Sequence, residues 1–234
     1  MEDLVETLRN SLKGILPEAE ISKFLEIASK FQSNDSLIKE LGRDVINANN
    51  QLNNDPENQF FRRTIIRTIF ADIEGKTSIL KQMIYAVYEF GQIELLPEEL
   101  ALLKEESYEL ENNGKIKIKD KFLRLPENIR FTVNLFSRTM LGEDRNIDVS
   151  GKEWNDFKLA LKVRNCLMHP KSIEDLNVNL DEITSALHAS TWFAKQVTEL
   201  LNKAGEISQK RTMEYLLKNT IGKIDHIGDY DRET

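Results

Sequence analysis

Between Leu161 and Ser172 the chain reads LKVRNCLMHPKS. Arg164, Asn165 and His169 fall within a turn and a half of one helical stretch, and Pro170 closes it. An arginine offers a planar, permanently charged fork to a phosphate. A histidine can take or give a proton near neutrality. An asparagine can orient either one or hold a scissile group. Together they are sufficient parts for metal-free cleavage of RNA. The imidazole activates a ribose 2′-OH or protonates the leaving oxygen, and the guanidinium stabilises charge building on phosphorus. The same residue types at a helix C-terminus also cap the last carbonyls and complement the macrodipole without any chemistry.

Spacing restricts how these groups can meet. Asn165 and His169, four apart, lie about 40° from one another around an ideal helix, whereas Arg164 and His169, five apart, lie about 140° from one another. Arg164 and His169 converge only if His169 leaves helical geometry or a second chain supplies one of the two. Pro170 favours the first route, and a two-fold dimer provides the second.

The run Arg164-Asn165-Cys166-Leu167-Met168-His169-Pro170, preceded by Trp154, Phe157 and Leu161 at helical spacing, resembles the R-x(4–6)-H signature of HEPN domains. The resemblance covers roughly residues 56–203. It implies an all-α helical bundle of HEPN type that is commonly dimeric. It also implies metal-independent endoribonuclease activity of the kind found in toxin–antitoxin, abortive-infection and antiviral-defence systems. On that reading Arg164, Asn165 and His169 are catalytic. Glu74 is the acidic residue the family often carries near the pocket. The partners are RNA, a second copy of the chain, and an antitoxin or an ATPase or sensor protein. Two positions depart from the pattern. Cys166 stands where a polar residue is common, and Lys171 stands where antitoxin-silenced members often carry a modifiable tyrosine. Some members are inactive, so the alternative is a non-catalytic assembly or nucleotide- or RNA-binding module of a larger defence complex.

Other residues carry two readings each. Glu74 orients Arg164 or His169, or it is a solvated helix residue paired with Lys76 or Lys81. Lys115, Lys117, Lys119, Lys121 and Arg124 grip RNA phosphates, or they guard an exposed strand edge. Arg62, Arg63 and Arg67 face a partner or RNA, or simply line an exposed helix face. Cys166 lacks the arrangement of a nucleophile. His188 and His226 lack zinc-ligand spacing, so neither a metal nor a cofactor is expected. No G-x-x-x-x-G-K-[ST] loop and no G-x-G-x-x-G turn occurs.

The elements that must position these groups read mostly as helices. Leu4, Leu8 and Leu12, then Ile21, Phe24, Leu25 and Ala28, then Leu37, Leu41 and Val45 recur at helical spacing, with a polar break at Asn34-Asp35-Ser36. Asp55 and Pro56 suit the N-cap and first position of a long helix over 56–90. Along it Phe61, Ile65, Ile69, Ile73, Thr77, Leu80, Ile84 and Val87 share a face, and Gly75 marks a close contact or a bend. A shorter helix is expected from Pro97 to Asn113-Gly114, and KIKIK alternates as a short β arm near 115–119. Pro126 opens a helix ending before Gly142. Ser150 and Glu153 form a capping box for the helix over 152–169, whose stripe is Trp154, Phe157, Leu161 and Met168. Asn179 and Glu182 repeat that logic for the helix over 180–203. A separate last helix runs from Ser208 to Lys218, and the tail frays. The core is then four helices over 56–90, 126–141, 152–169 and 180–203. The organisation expected is an N-terminal helical extension over 1–54, the bundle over 55–204, and a C-terminal helix and tail over 205–234.

Bulk properties set the remaining bounds. A chain of 234 residues buries a core without disulfides. A single cysteine suits a reducing, cytoplasmic setting. With an acidic start and no long apolar run, neither a secretory leader nor a membrane span is expected. A net charge of −7 excludes a basic coat that binds nucleic acid over the whole surface, and leaves room for a local cationic pocket.

Overall fold

A computed structural model describes Glu6, Arg9, Asn10, Lys13 and residues 17–144 and 146–230, with side chains to residue 210. The expected leucine stripe at Leu4, Leu8 and Leu12 lies outside the described residues. The elements run α1 (Glu18–Asn54), α2 (Gln59–Glu89), α3 (Pro97–Leu103), β1 (Glu106–Leu110), β2 (Ile116–Asp120), α4 (Leu125–Phe136), α5 (Lys152–Met168) and α6 (Leu180–Tyr230). A π-helical turn, Ser137–Leu141, extends α4, and a 3-10 turn, Glu174–Leu176, precedes α6. The result is an all-α bundle with one small β arm.

α2 is the spine. Its expected stripe is buried but for Phe61, which is half-buried, and Ile66, Phe70, Ile79 and Met83 widen the buried surface. Covered on most sides, it packs against α1, α4, α5 and α6. Gly75 serves close contact: a Cβ there would lie 2.6 Å from Leu41 Cδ1 of α1. The Asn34-Asp35-Ser36 break does not form, and α1 runs through it unbroken. Packing of Ile38, Leu41 and Val45 onto the core outweighs the weak helix propensity of three polar residues.

Asp55 closes α1 instead of opening α2. The residue before Pro56 is pushed out of the α region, and Asp55 sits at φ −147° and ψ 78°. The cap of α2 is Asn58, whose side chain accepts from Phe60 N–H. The Ser150 cap on α5 also fails, because Asp148 Oδ1 takes both the hydroxyl and the N–H of Ser150. Gly151 caps the helix in its place. The Asn179–Glu182 box forms as expected, each side chain accepting from the other's N–H at 2.9 Å.

The helix expected over 97–113 ends at Leu103. Glu105 adopts φ 55°, the left-handed region, and the chain turns into β1. β1 and β2 pair antiparallel, Tyr108 opposite Ile118 and Leu110 opposite Ile116. These four side chains share one face, and all are exposed. The separate helix expected at 208–218 is instead part of α6, whose backbone continues to Tyr230 and takes in much of the tail expected to fray. No helix among the described residues is long and apolar enough to cross a membrane.

Candidate functional site

The inward face of α5 is not the stripe expected. Trp154, Phe157, Ala160 and Leu167 are buried, while Met168 is 48% exposed. Aromatic packing fixes this rotation. The Trp154 and Phe157 rings stack with centroids 4.9 Å apart, and Phe157 also meets Phe70 of α2 and Trp192 of α6. With that face turned inward, Arg164 lies between Phe157 and Ala160 around the helix, on its core side. Its Nη2 donates to Glu74 Oε1 of α2 at 2.6 Å, and its Nη1 donates to Asn165 Oδ1 at 3.2 Å. Glu74 therefore does not pair with Lys76 or Lys81. Lys76 goes to Asp72, and Lys81 goes to Glu105.

The opposite face of α5 carries Lys158, Lys162, Asn165 and His169, spaced four, three and four residues apart, all exposed. His169 is the C-cap, at φ −136° and ψ 60°, with its N–H donating to the Asn165 carbonyl at 3.1 Å. Its imidazole has no hydrogen-bond partner among the described residues. Pro170 explains the departure from helical geometry.

Two grooves flank the helix. One, of about 580 Å³, is lined by Lys158, Lys162, Asn165, Cys166, His169 and Lys171, with Asp175 at its end. The other, of about 800 Å³, holds Glu74, Arg164, Arg124 and Phe122 in its wall. Asn165 and Leu161 line both. Within one chain, then, Arg164 and His169 open onto different grooves: His169 leaves helical geometry as Pro170 favours, but that departure does not bring the two together. Asn165 is the group common to both.

The end of α5 and the segment following it are clamped by the start of α2. Arg67 Nη2 donates to the Leu167 carbonyl, Arg63 Nη1 to the Leu176 carbonyl and Arg62 Nη1 to the Val178 carbonyl, each at 3.1 Å. Gln59 both accepts from Val178 N–H and donates to its carbonyl. Arg62 is 7% exposed, so the exposed-face reading of these arginines fails for it. All three arginines fix the end of α5 and the loop beyond it. Asp175 Oδ2 accepts from the N–H groups of Lys171 and Ser172, which sets Lys171 just past the proline. Neither Gln59 nor Asp175 stands out in the sequence, because their partners are backbone atoms more than a hundred residues away or in an irregular loop.

Of the basic set at 115–124, Arg124 lines the Glu74 groove. Lys115, Lys117, Lys119 and Lys121 line neither groove, and Lys119 pairs with Glu109 across the arm. Glu105 was not anticipated. It accepts from Lys81 Nζ at 2.7 Å and lines the Arg164 groove. Asp72 and Lys76 form a buried pair at 2.7 Å. Burial raises the Asp72 pKa above its ordinary value of 3.8, against the lowering effect of the Lys76 hydrogen bond. His188 Nδ1 lies 2.9 Å from Asp156 Oδ2 and ties α6 to α5. No group of three or more His, Cys, Asp or Glu side chains among the described residues is arranged to hold a metal ion.

Chemically, the arrangement supplies a cation with direction. Two of the five guanidinium N–H donors of Arg164 are engaged by Glu74 and Asn165, and the others remain for an anion. The free imidazole of His169 can exchange a proton with a bound hydroxyl. No protein-family model, curated protein or solved structure matches the chain.

Proposed function

We propose that the chain is a metal-independent endoribonuclease of HEPN type, active as a two-fold dimer in toxin or antiviral defence. His169 of one copy meets Arg164 of the other. The observation that carries this reading is the pairing of a fixed arginine with an unengaged histidine on opposite flanks of one helix. Arg164 is aimed by Glu74 at 2.6 Å, and His169 stands exposed at the helix end. A second chain that brings its Arg164 to His169 completes a site that one chain holds in two halves.

In the reaction, His169 takes the 2′-OH proton as the 2′-oxygen bonds to phosphorus. The P–O5′ bond breaks, and the leaving oxygen takes a proton from solvent. Arg164 carries the charge that builds on the non-bridging oxygens, and Asn165 holds its guanidinium in plane. The products carry a 2′,3′-cyclic phosphate and a 5′-hydroxyl. With RNA and excess chelator, the purified protein is expected to yield these ends. His169→Ala and Arg164→Ala should each lower the rate by about 10²–10⁴ with unchanged helix content. Variants that cut as fast as the parent would overturn the reading.

A second reading, a non-catalytic module of a larger defence assembly, is favoured by the β arm. It turns Tyr108, Leu110, Ile116 and Ile118 outward, as a partner surface would. RNA left intact by the parent protein under every condition would leave this reading standing.

A further inference from the structure

We infer that the outward face of α5 is a track for a single RNA strand, with Lys158 and Lys162 on one side of His169 and Lys171 on the other. The inference rests on the nuclease reading for its ligand. Its residues are separate from Arg164, Glu74 and the basic arm.

Three observations carry it. Lys158, Lys162, Asn165 and His169 fall within about 60° of one another around the helix axis, so they form one exposed row. None of the three lysines has an ion-pair partner among the described residues, although this chain has 39 acidic side chains against 32 basic ones. Elsewhere Lys30, Lys39, Lys76, Lys81, Lys119 and Lys203 each meet a carboxylate, whereas Lys115, Lys117, Lys121, Lys152 and Lys195 are also without an ion pair among the described residues. What sets the α5 lysines apart is that they line one groove with His169. The one carboxylate lining the groove, Asp175, is turned to the backbone of Lys171 and Ser172.

The dimensions also suit a strand. Lys158 and Lys162 are about 6 Å apart along the axis, wider than the 3.4 Å per charge of a stacked strand. Flexible lysine stems take up the difference. A backbone gripped on both sides of His169 holds the intervening linkage at the imidazole. Since phosphate contacts position and do not read bases, the track grips any sequence.

The test is binding of a fluorescein-labelled 2′-deoxy oligonucleotide, which lacks the attacking hydroxyl, to the full-length chain across a salt series. Three lysine–phosphate contacts predict a slope of log affinity against log salt near −2, or about a twentyfold loss between 50 and 200 mM. Lys158→Gln, Lys162→Gln and Lys171→Gln should each make the slope shallower by about 0.7. Lys195→Gln, on α6, should leave it unchanged. All four positions are exposed, so folding is not at stake. Track variants that keep the parent slope, an equal effect at Lys195, or no binding by the parent would each overturn the track. Binding as described without cleavage of RNA would remove the nuclease reading alone. Cleavage with unaltered slopes would remove the track alone.

Discussion

Glu74 decides where the Arg164 guanidinium points. Both side chains are partly exposed, 42% and 25%, so the pair adds little to stability after solvent screening. Its value lies in orientation. Glu74→Ala should leave affinity for an uncleavable strand near the parent value while lowering the cleavage rate about 100-fold, the usual penalty of a misplaced catalytic group. Glu74→Gln, which keeps an acceptor oxygen, should recover part of that rate. An alanine variant as fast as the parent would remove Glu74 from the site. The sequence carried the obstacle to Arg164 meeting His169, about 140° apart on an ideal helix, but left open whether the break at Pro170 would bring them together. It did not carry which side faced the core. Leu167 and Met168 are equally apolar, and the stacked Trp154–Phe157 pair, with Phe157 against Phe70 and both rings against Trp192, chooses between them. The row of Lys158, Lys162, Asn165 and His169 was legible in the spacing, but it means little until that choice is made.

The start of α2 and the end of α5 behave as one unit. Arg62 reaches the Pro56 carbonyl, the Val178 carbonyl and Glu57 while nearly buried. Arg62→Ala should cost about 3 kcal/mol in urea unfolding, as expected for lost hydrogen bonds to a charged donor. A cost within about 0.5 kcal/mol, that of an ordinary surface change, would show the clamp to be idle. Deeper in α2, Asp72→Ala should cost about 3–5 kcal/mol because it strands Lys76, whereas Asp72→Leu with Lys76→Met should come close to the parent. The pH dependence has a definite sign. With the Asp72 pKa raised by burial, the folded chain keeps a proton that the unfolded chain loses from pH 3.8 upward. This group's contribution to stability therefore falls as pH rises through that window and stays lost above it. Unfolding curves for Asp72→Asn should lack that decline, and an identical pH profile would contradict it. At this scale the long helices are legible from periodicity, but only the second strand of the β arm stands out. KIKIK needs a neighbour, and ESYEL, across Asn113-Gly114, alternates in the same way. Alternating runs on both sides of Asn-Gly are a hairpin signal. The helix-favouring residues of PEELALL mask it until Glu105 turns the chain.

For the whole molecule, net acidity and a cationic groove are compatible because the charges are segregated. Bulk repulsion limits non-specific binding, while the α5 face concentrates positive charge beside His169. Periodicity made the all-α architecture legible, but assembly leaves no such trace in one chain. The central claim is that two copies share each site, with His169 from one and Arg164 from the other. Its most direct test is to unfold and refold His169→Ala and Arg164→Ala chains together and measure RNA cleavage in chelator. Each variant alone is expected to be inactive. A shared site predicts that half of the refolded dimers are mixed and that each of these has one complete site, restoring about a quarter of parental activity. A mixture as inactive as its components, with mixed dimers demonstrably present, would contradict the account.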